Sequence, residues 1–165
     1  AAYACAHVLS MSPDALAELL DDFVSLPHRL QIIGCFQGKP VYNDSKSTNV
    51  ESTLFALRSM AEPCVLFLGG IGKGESYLPI LSASKAVAAV VAFGPAASEI
   101  IRDLDEHLPI ARFATLAEAV RLYPFVHHSP ILFSPGCASF DEFKNFEDRG
   151  RYFVTTISSR LGLGA

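Results

Sequence analysis

No stretch of this chain is apolar for long enough to cross a membrane. The longest candidate, Ala86 to Phe93, has the length of a strand, far short of the ~18 residues a membrane helix needs. Basic charge is also scarce. Thirteen lysines and arginines stand against 17 acidic residues, a net charge of −4, and no basic face stands out, so nucleic acid is not expected as a partner. The four cysteines, Cys5, Cys35, Cys64 and Cys137, form no CxxC pair, which argues against a structural zinc site. Three of them lie in or beside apolar runs and are expected to be buried thiols of a reducing, cytoplasmic setting. The first residue is Ala, with no basic leader and no cleavage site after it. The chain therefore reads as a piece of a longer or processed protein with no targeting signal in view.

What is present is apolar material cut into short, regular pieces. Half of the 165 residues are hydrophobic and the mean hydropathy is +0.32, enough for one domain with a core. Ala1 to Leu9 reads as a helical stub. Ser12 caps a second helix with Pro13 in its first turn and an apolar face of Leu16, Leu19, Leu20 and Phe23. Pro27 disfavours helix at Leu26 and implies an extended connection there, so a boundary is placed at residue 26, after a 1–25 helical tail. Beyond it the pattern turns to β: a hairpin from Leu30–Phe36 and Val41–Asn43, then apolar strands at Cys64–Leu68, Ala86–Phe93, Ile110–Phe113 and Pro130–Phe133. Helices are expected between them, with capping boxes at Thr48/Glu51, Thr115/Glu118 and Ser139/Glu142. The last of these starts a helix that runs to Leu161. This alternation predicts an α/β domain over residues 26–165, a Rossmann-like, mostly parallel sheet with helices on both faces, opened by a β-hairpin.

In such a sheet, ligands bind beyond the carboxyl ends of the strands. Three polar stretches fall there: Asp44 to Asn49, Gly69 to Lys73, and Ser134 to Phe146. A fourth, His28-Arg29, opens the domain. A strand feeding a loop of small residues and then a helix start offers backbone N–H groups to an anion. Gly69-Gly70-Ile71-Gly72-Lys73-Gly74 is not a Walker A loop. That motif would need glycine where Phe67 stands and Ser or Thr where Gly74 stands. Cys137 with His127 or His128 makes a poor nucleophilic pair, since both histidines precede a strand and read as surface residues.

The string Ser134-Pro135-Gly136-Cys137-Ala138-Ser139-Phe140-Asp141-Glu142-Phe143-Lys144-Asn145-Phe146-Glu147-Asp148-Arg149-Gly150 resembles the C-terminal signature of the Mur ligases, most closely that of their D-glutamate-adding branch. Asn43-Asp44-Ser45-Lys46-Ser47-Thr48-Asn49 resembles a second motif of the same family, with Ser47 where alanine is usual. The resemblance implies roles residue by residue. Arg29 and Asp44 would hold the ribose and adenosine side of a nucleotide. Lys46 and Thr48 would face the boundary between nucleotide and amino acid. Lys73, Ser139 and Phe140 would bind D-glutamate carboxylates, and Phe146 would close that pocket.

The implied reaction is ATP-dependent amide formation between UDP-N-acetylmuramoyl-L-alanine and D-glutamate in peptidoglycan synthesis, through an acyl phosphate. It needs ATP, Mg2+ and a P-loop that this chain lacks. The resemblance therefore implies a C-terminal ligand-binding domain, with residues 1–25 the tail of a central ATPase domain. Alone, the chain is expected to fold without catalysing, and to hold no nucleotide or Mg2+ tightly. No residue is assigned a catalytic or metal-ligating role. Two alternatives stand beside this: the C-terminal domain of another Mur or folylpolyglutamate-type ligase, and a stand-alone Rossmann-like binding module.

Overall fold

The computed structural model describes residues 26–125 and 128–163, preceded by Ser12, Asp14, Ala15 and Glu18. At the start, the Ser12 hydroxyl accepts from the Ala15 N–H at 3.2 Å, the cap expected there. The rest of the expected 1–25 tail, Cys5 and His127 lie outside the described residues.

Leu26 to Leu30 is a turn, not the extended connection that Pro27 suggested. The Arg29 N–H reaches the Leu26 carbonyl at 3.2 Å and His28 has φ 63°. Proline second and a positive φ third is a type II arrangement. The hairpin follows: β1 (Gln31–Phe36) runs antiparallel to β2 (Lys39–Asn43). Their two-residue loop, Gln37-Gly38, has φ 50° and 76°, the mirror-image turn that matches the strands' twist.

Four further strands are all parallel to β2: β3 (Cys64–Gly69), β4 (Val87–Phe93), β5 (Ile110–Phe113) and β6 (Ile131–Phe133). The sheet order is β1-β2-β6-β3-β4-β5. The last strand in sequence, β6, thus lies between β2 and β3. That insertion puts the loop after β6 beside the loops after β2 and β3. The outer strands are β1, interrupted by a bulge between Ile32 and Gly34, and β5, four residues long.

Helices α1 (Val50–Arg58) and α2 (Ala97–Leu104), with a 3₁₀ segment Leu78–Ala86, cover one face; α3 (Leu116–Leu122) and α4 (Phe146–Leu161) cover the other. Every residue of β3 is buried, and its side chains alternate between the faces, as the pleat requires. Leu66 and Leu68 pack with Leu57, Ile80, Ile100 and Leu104. Val65 and Phe67 pack with Leu116, Val120, Phe153 and Ile157. This is the expected α/β sheet with a leading hairpin.

Two helix starts differ from expectation. In α1 the cap is Asn49, whose side chain accepts from the Ser52 N–H at 2.8 Å, so Thr48 stands just outside the helix. The last helix starts at Phe146 under Asn145, not at Ser139. Ser139 closes a turn instead, its carbonyl accepting from the Phe143 N–H at 2.9 Å. Glu142 is drawn away to accept from the Leu116 N–H of α3 at 3.0 Å. The Thr115 cap is as read: its hydroxyl accepts from the Glu118 N–H at 3.1 Å.

Candidate functional site

Asp44, the first residue after β2, ties three loops together. Its N–H donates to the Phe133 carbonyl at 2.8 Å. One carboxylate oxygen accepts from the Leu30 N–H at 3.1 Å. The other accepts from the hydroxyls of Ser47 at 2.5 Å and Ser134 at 2.8 Å. Burial pushes this carboxyl above its ordinary range, and the donated hydrogen bonds oppose that. Gly136 N–H to the Ser47 carbonyl at 3.0 Å and Thr53 Oγ1 to the Ser134 carbonyl at 3.1 Å join the same loops again.

Arg149, in the first turns of α4, is the second tie. It is 1% exposed, yet among the described residues no carboxylate pairs with it. Its guanidinium donates instead to backbone and hydroxyl oxygens: Nε to Ser45 Oγ at 3.1 Å, Nη2 to the Ser45 carbonyl at 2.9 Å, Nη1 to the Cys137 carbonyl at 2.9 Å. Ser45 Oγ in turn donates to the Phe146 carbonyl at 2.8 Å. Desolvation lowers the arginine's pKa to about 10, so it stays charged at neutral pH.

His28 packs on the next residue. Its Nδ1 lies 2.8 Å from Asn43 Nδ2, and burial holds its pKa below the ordinary value, helped by the charge of Arg151. A Cβ on Gly150 would come 2.2 Å from that Nδ1. Gly→Ala inside a helix normally stabilises by up to about 1 kcal/mol. Here Gly150→Ala is expected to reverse the sign and cost about 1–3 kcal/mol through overpacking, read as a lower denaturation midpoint.

The glycine-rich loop after β3 meets the loop after β6. Ile71 and Ala138 exchange both backbone hydrogen bonds, at 2.9 and 3.0 Å. A side chain on Gly70 would collide with the Ala138 carbonyl at 2.4 Å, and its φ of 123° suits glycine alone. This bridge sets the neighbours Lys73 and Ser139 on adjoining loops. Lys73 is exposed and Ser139 buried, while the Phe140 ring is 70% exposed.

Arg29, Asp44 and Lys46 all line one cleft of about 310 Å³ against the face of α1. The Lys46 ammonium sits 4.4 Å from the centre of the Phe146 ring, a cation–π contact with the start of α4. Sites read separately from the sequence thus form two adjoining groups: Arg29, Asp44 and Lys46 in the cleft, Lys73, Ser139 and Phe140 around the Ile71–Ala138 bridge. Phe146, at the start of α4, lies against Lys46, and Thr48 is half-buried at the end of the Asp44 loop.

No family model matches the chain. Comparison with curated proteins is informative: over 95% of its length the chain is 35% identical to the UDP-N-acetylmuramoylalanine--D-glutamate ligase of Latilactobacillus sakei, and equally to that of Bacillus thuringiensis. The chain is a homologue of the Mur ligases. It spans about a third, 36%, of the length of these relatives. Among solved structures it resembles the Mur ligase UDP-N-acetylmuramate-alanine ligase MurC of Thermotoga maritima, with a TM-score of 0.65 at 15% identity over 94% of this chain and 36% of that one. It also resembles a bifunctional folylpolyglutamate synthase/dihydrofolate synthase of Yersinia pestis, with a TM-score of 0.58 at 17% identity, over 88% and 34%. These two share the α/β fold.

Sequence reading missed several residues that build the site of this Mur ligase homologue. Ser45, Ser134 and Arg149 carry its internal bonds, and Leu30, Ser52 and Phe55 line the cleft. For Phe55 a signal existed: it falls off the Leu54–Leu57 apolar face of its helix. Cys137 is buried. Its Sγ lies 3.0 Å from the Tyr77 hydroxyl, and burial pushes the thiol up to about 11. His128 is exposed, as read. Cys64 and Cys137 are buried, as expected of two of the thiols, and Cys35 is exposed on β1. Among the described residues no helix is long and apolar enough to cross a membrane, and no cluster of His, Cys, Asp or Glu could hold a metal ion.

Proposed function

We propose that this chain is the amino-acid-binding domain of a cytoplasmic, ATP-dependent ligase that adds D-glutamate to UDP-N-acetylmuramoyl-L-alanine, a step of peptidoglycan synthesis. The observation that supports this reading is the contact of Lys46, which the resemblance gives to the nucleotide side, with Phe146, which it gives to the D-glutamate pocket. The lysine lines the cleft shared by Arg29 and Asp44, and its ammonium rests on Phe146.

In this reading Arg29 and Asp44 hold the ribose side of ATP. Lys46 faces the phosphates, where a cation offsets charge. Across the boundary, Lys73 and Ser139 bind the carboxylates of D-glutamate by charge-assisted hydrogen bonds, with the Phe140 N–H beside them, Thr48 at the boundary and Phe146 as a wall. ATP supplies the phosphoryl group that activates the muramoyl-alanine carboxylate. Mg2+ and most of the phosphate contacts belong to other domains of the proposed ligase. Lys73 is exposed, so its charge is screened until those domains close over it.

Measured on the complete ligase, Lys73→Ala or Ser139→Ala is expected to raise the D-glutamate KM well above any change in the ATP KM, by about 1.5–3 kcal/mol each. Equal effects on both substrates would remove the assignment. Asp44→Ala is expected to weaken ATP and leave D-glutamate nearly untouched, with Asp44→Asn milder. Because Asp44 also accepts from Leu30, Ser47 and Ser134, Asp44→Ala must in addition lower the melting temperature. An Asp44→Ala ligase with an unchanged ATP KM refutes the nucleotide role.

A further inference from the structure

The wall of the cleft formed by α1 changes character along its length. Ser52, Phe55 and Ala56 stand three and four residues apart and so share one stripe of the helix. All three line the cleft together with Leu30. Ser52 belongs to the first turn, beside the capping Asn49 and the Asp44–Asn49 loop that carries Lys46. Phe55 lies one turn further on, about 5 Å along the axis. One end of the cleft is therefore polar and cationic. The other offers Leu30, Ala56 and an aromatic ring, with the Arg29 guanidinium in the same cleft.

Among the described residues, Phe55 belongs to neither core cluster. Its ring is 70% exposed on a helix whose buried face is already supplied by Val50, Leu54 and Leu57. A phenyl ring and a guanidinium are both flat groups that stack on a planar, electron-rich partner. A ligand that fits such a cleft has a flat, weakly polar end joined to an anionic end a few ångströms away.

We infer that Phe55, with Arg29 beside it, is a stacking platform for the base of the bound nucleotide. Phe55 is thus a specificity-determining residue that favours nucleotides over base-free sugar phosphates. The inference rests on the nucleotide reading of this cleft given above.

The chain contains no tryptophan, so Phe55→Trp places a single fluorescent reporter at the platform. In the 165-residue chain, adenosine 5′-monophosphate is expected to quench that emission saturably, and ribose 5-phosphate to leave it unchanged. In ligand-observed NMR titrations, Phe55→Ala is expected to weaken adenosine 5′-monophosphate at least about five-fold, the lower end of base–aromatic stacking. Ribose 5-phosphate should bind that variant as it binds the unaltered chain. The ring is solvent-facing, so each variant should melt as the unaltered chain does. If Phe55→Ala binds adenosine 5′-monophosphate with full affinity while Lys46→Ala does not, the cleft is a nucleotide site and the stacking role falls. If the unaltered chain shows no binding of adenosine 5′-monophosphate at all, the nucleotide reading and this inference fall together.

Discussion

Arg149→Ala is expected to cost the fold at least about 3 kcal/mol, roughly a quarter or more of the stability of an ordinary domain. The guanidinium is the donor to two buried carbonyls, Ser45 and Cys137, and to the Ser45 hydroxyl. Each acceptor stranded without it costs about 1–3 kcal/mol, and the deleted side chain leaves a cavity besides. Arg149→Lys should recover little, because one ammonium cannot reproduce a fork aimed at three oxygens. Denaturant melts of the two variants measure this. A loss under about 1 kcal/mol for Arg149→Ala would mean that water solvates the vacated carbonyls and that the arginine is dispensable. In the proposed ligase the same change is expected to raise the KM of both ATP and D-glutamate, because Ser45 neighbours Lys46 and Cys137 lies two residues from Ser139.

Phe153→Ala is expected to cost about 3–5 kcal/mol, a drop in melting temperature of roughly 10 °C or more for a domain of this size. Phe153 is fully buried. Its ring stacks on Phe133 with centroids 4.0 Å apart and packs edge-on against Phe67 at 5.8 Å. Phe133 is the last residue of β6, directly before Ser134. The cavity would therefore open beneath the loop that carries Ser134 and Ser139. Phe153→Leu should recover most of the stability by filling the volume. A cost below about 1.5 kcal/mol for the alanine variant would show that α4 collapses onto the sheet without strain.

The framework was legible because its signals are local. The unbroken apolar run of β3 announces a strand covered on both faces, and Thr115 caps α3 by a contact between near neighbours. The loops that hold the site could be placed because the carboxyl ends of parallel strands are where chain order and ligand position coincide. What stayed hidden depends on partners remote in sequence. Ser139 and Glu142 have capping-box spacing, but Glu142 finds the Leu116 N–H 26 residues away, and Asn145 takes over as the helix cap. Thr48 and Asn49 are both competent caps, and spacing alone does not choose between them. The role of Arg149 could not be read because its acceptors, Ser45 and Cys137, are brought to it only by the insertion of β6 between β2 and β3. Asp44 is singled out by resemblance, but nothing in the sequence shows that Leu30, Ser47 and Ser134 share its carboxylate.

The outer strands carry a consequence for how this molecule behaves among copies of itself. A sheet margin is a row of unpaired backbone groups onto which another chain can add, the first step of aggregation. Here one margin, β1, is bent by the bulge between Ile32 and Gly34, which breaks the even spacing an incoming strand would need. The other, β5, offers only four residues, too few to hold a partner. The apolar Ile32, 61% exposed, is thus tolerated on the rim because the backbone around it is shaped to refuse a neighbour, and a straightened β1 would turn the same residue into a seed for fibres.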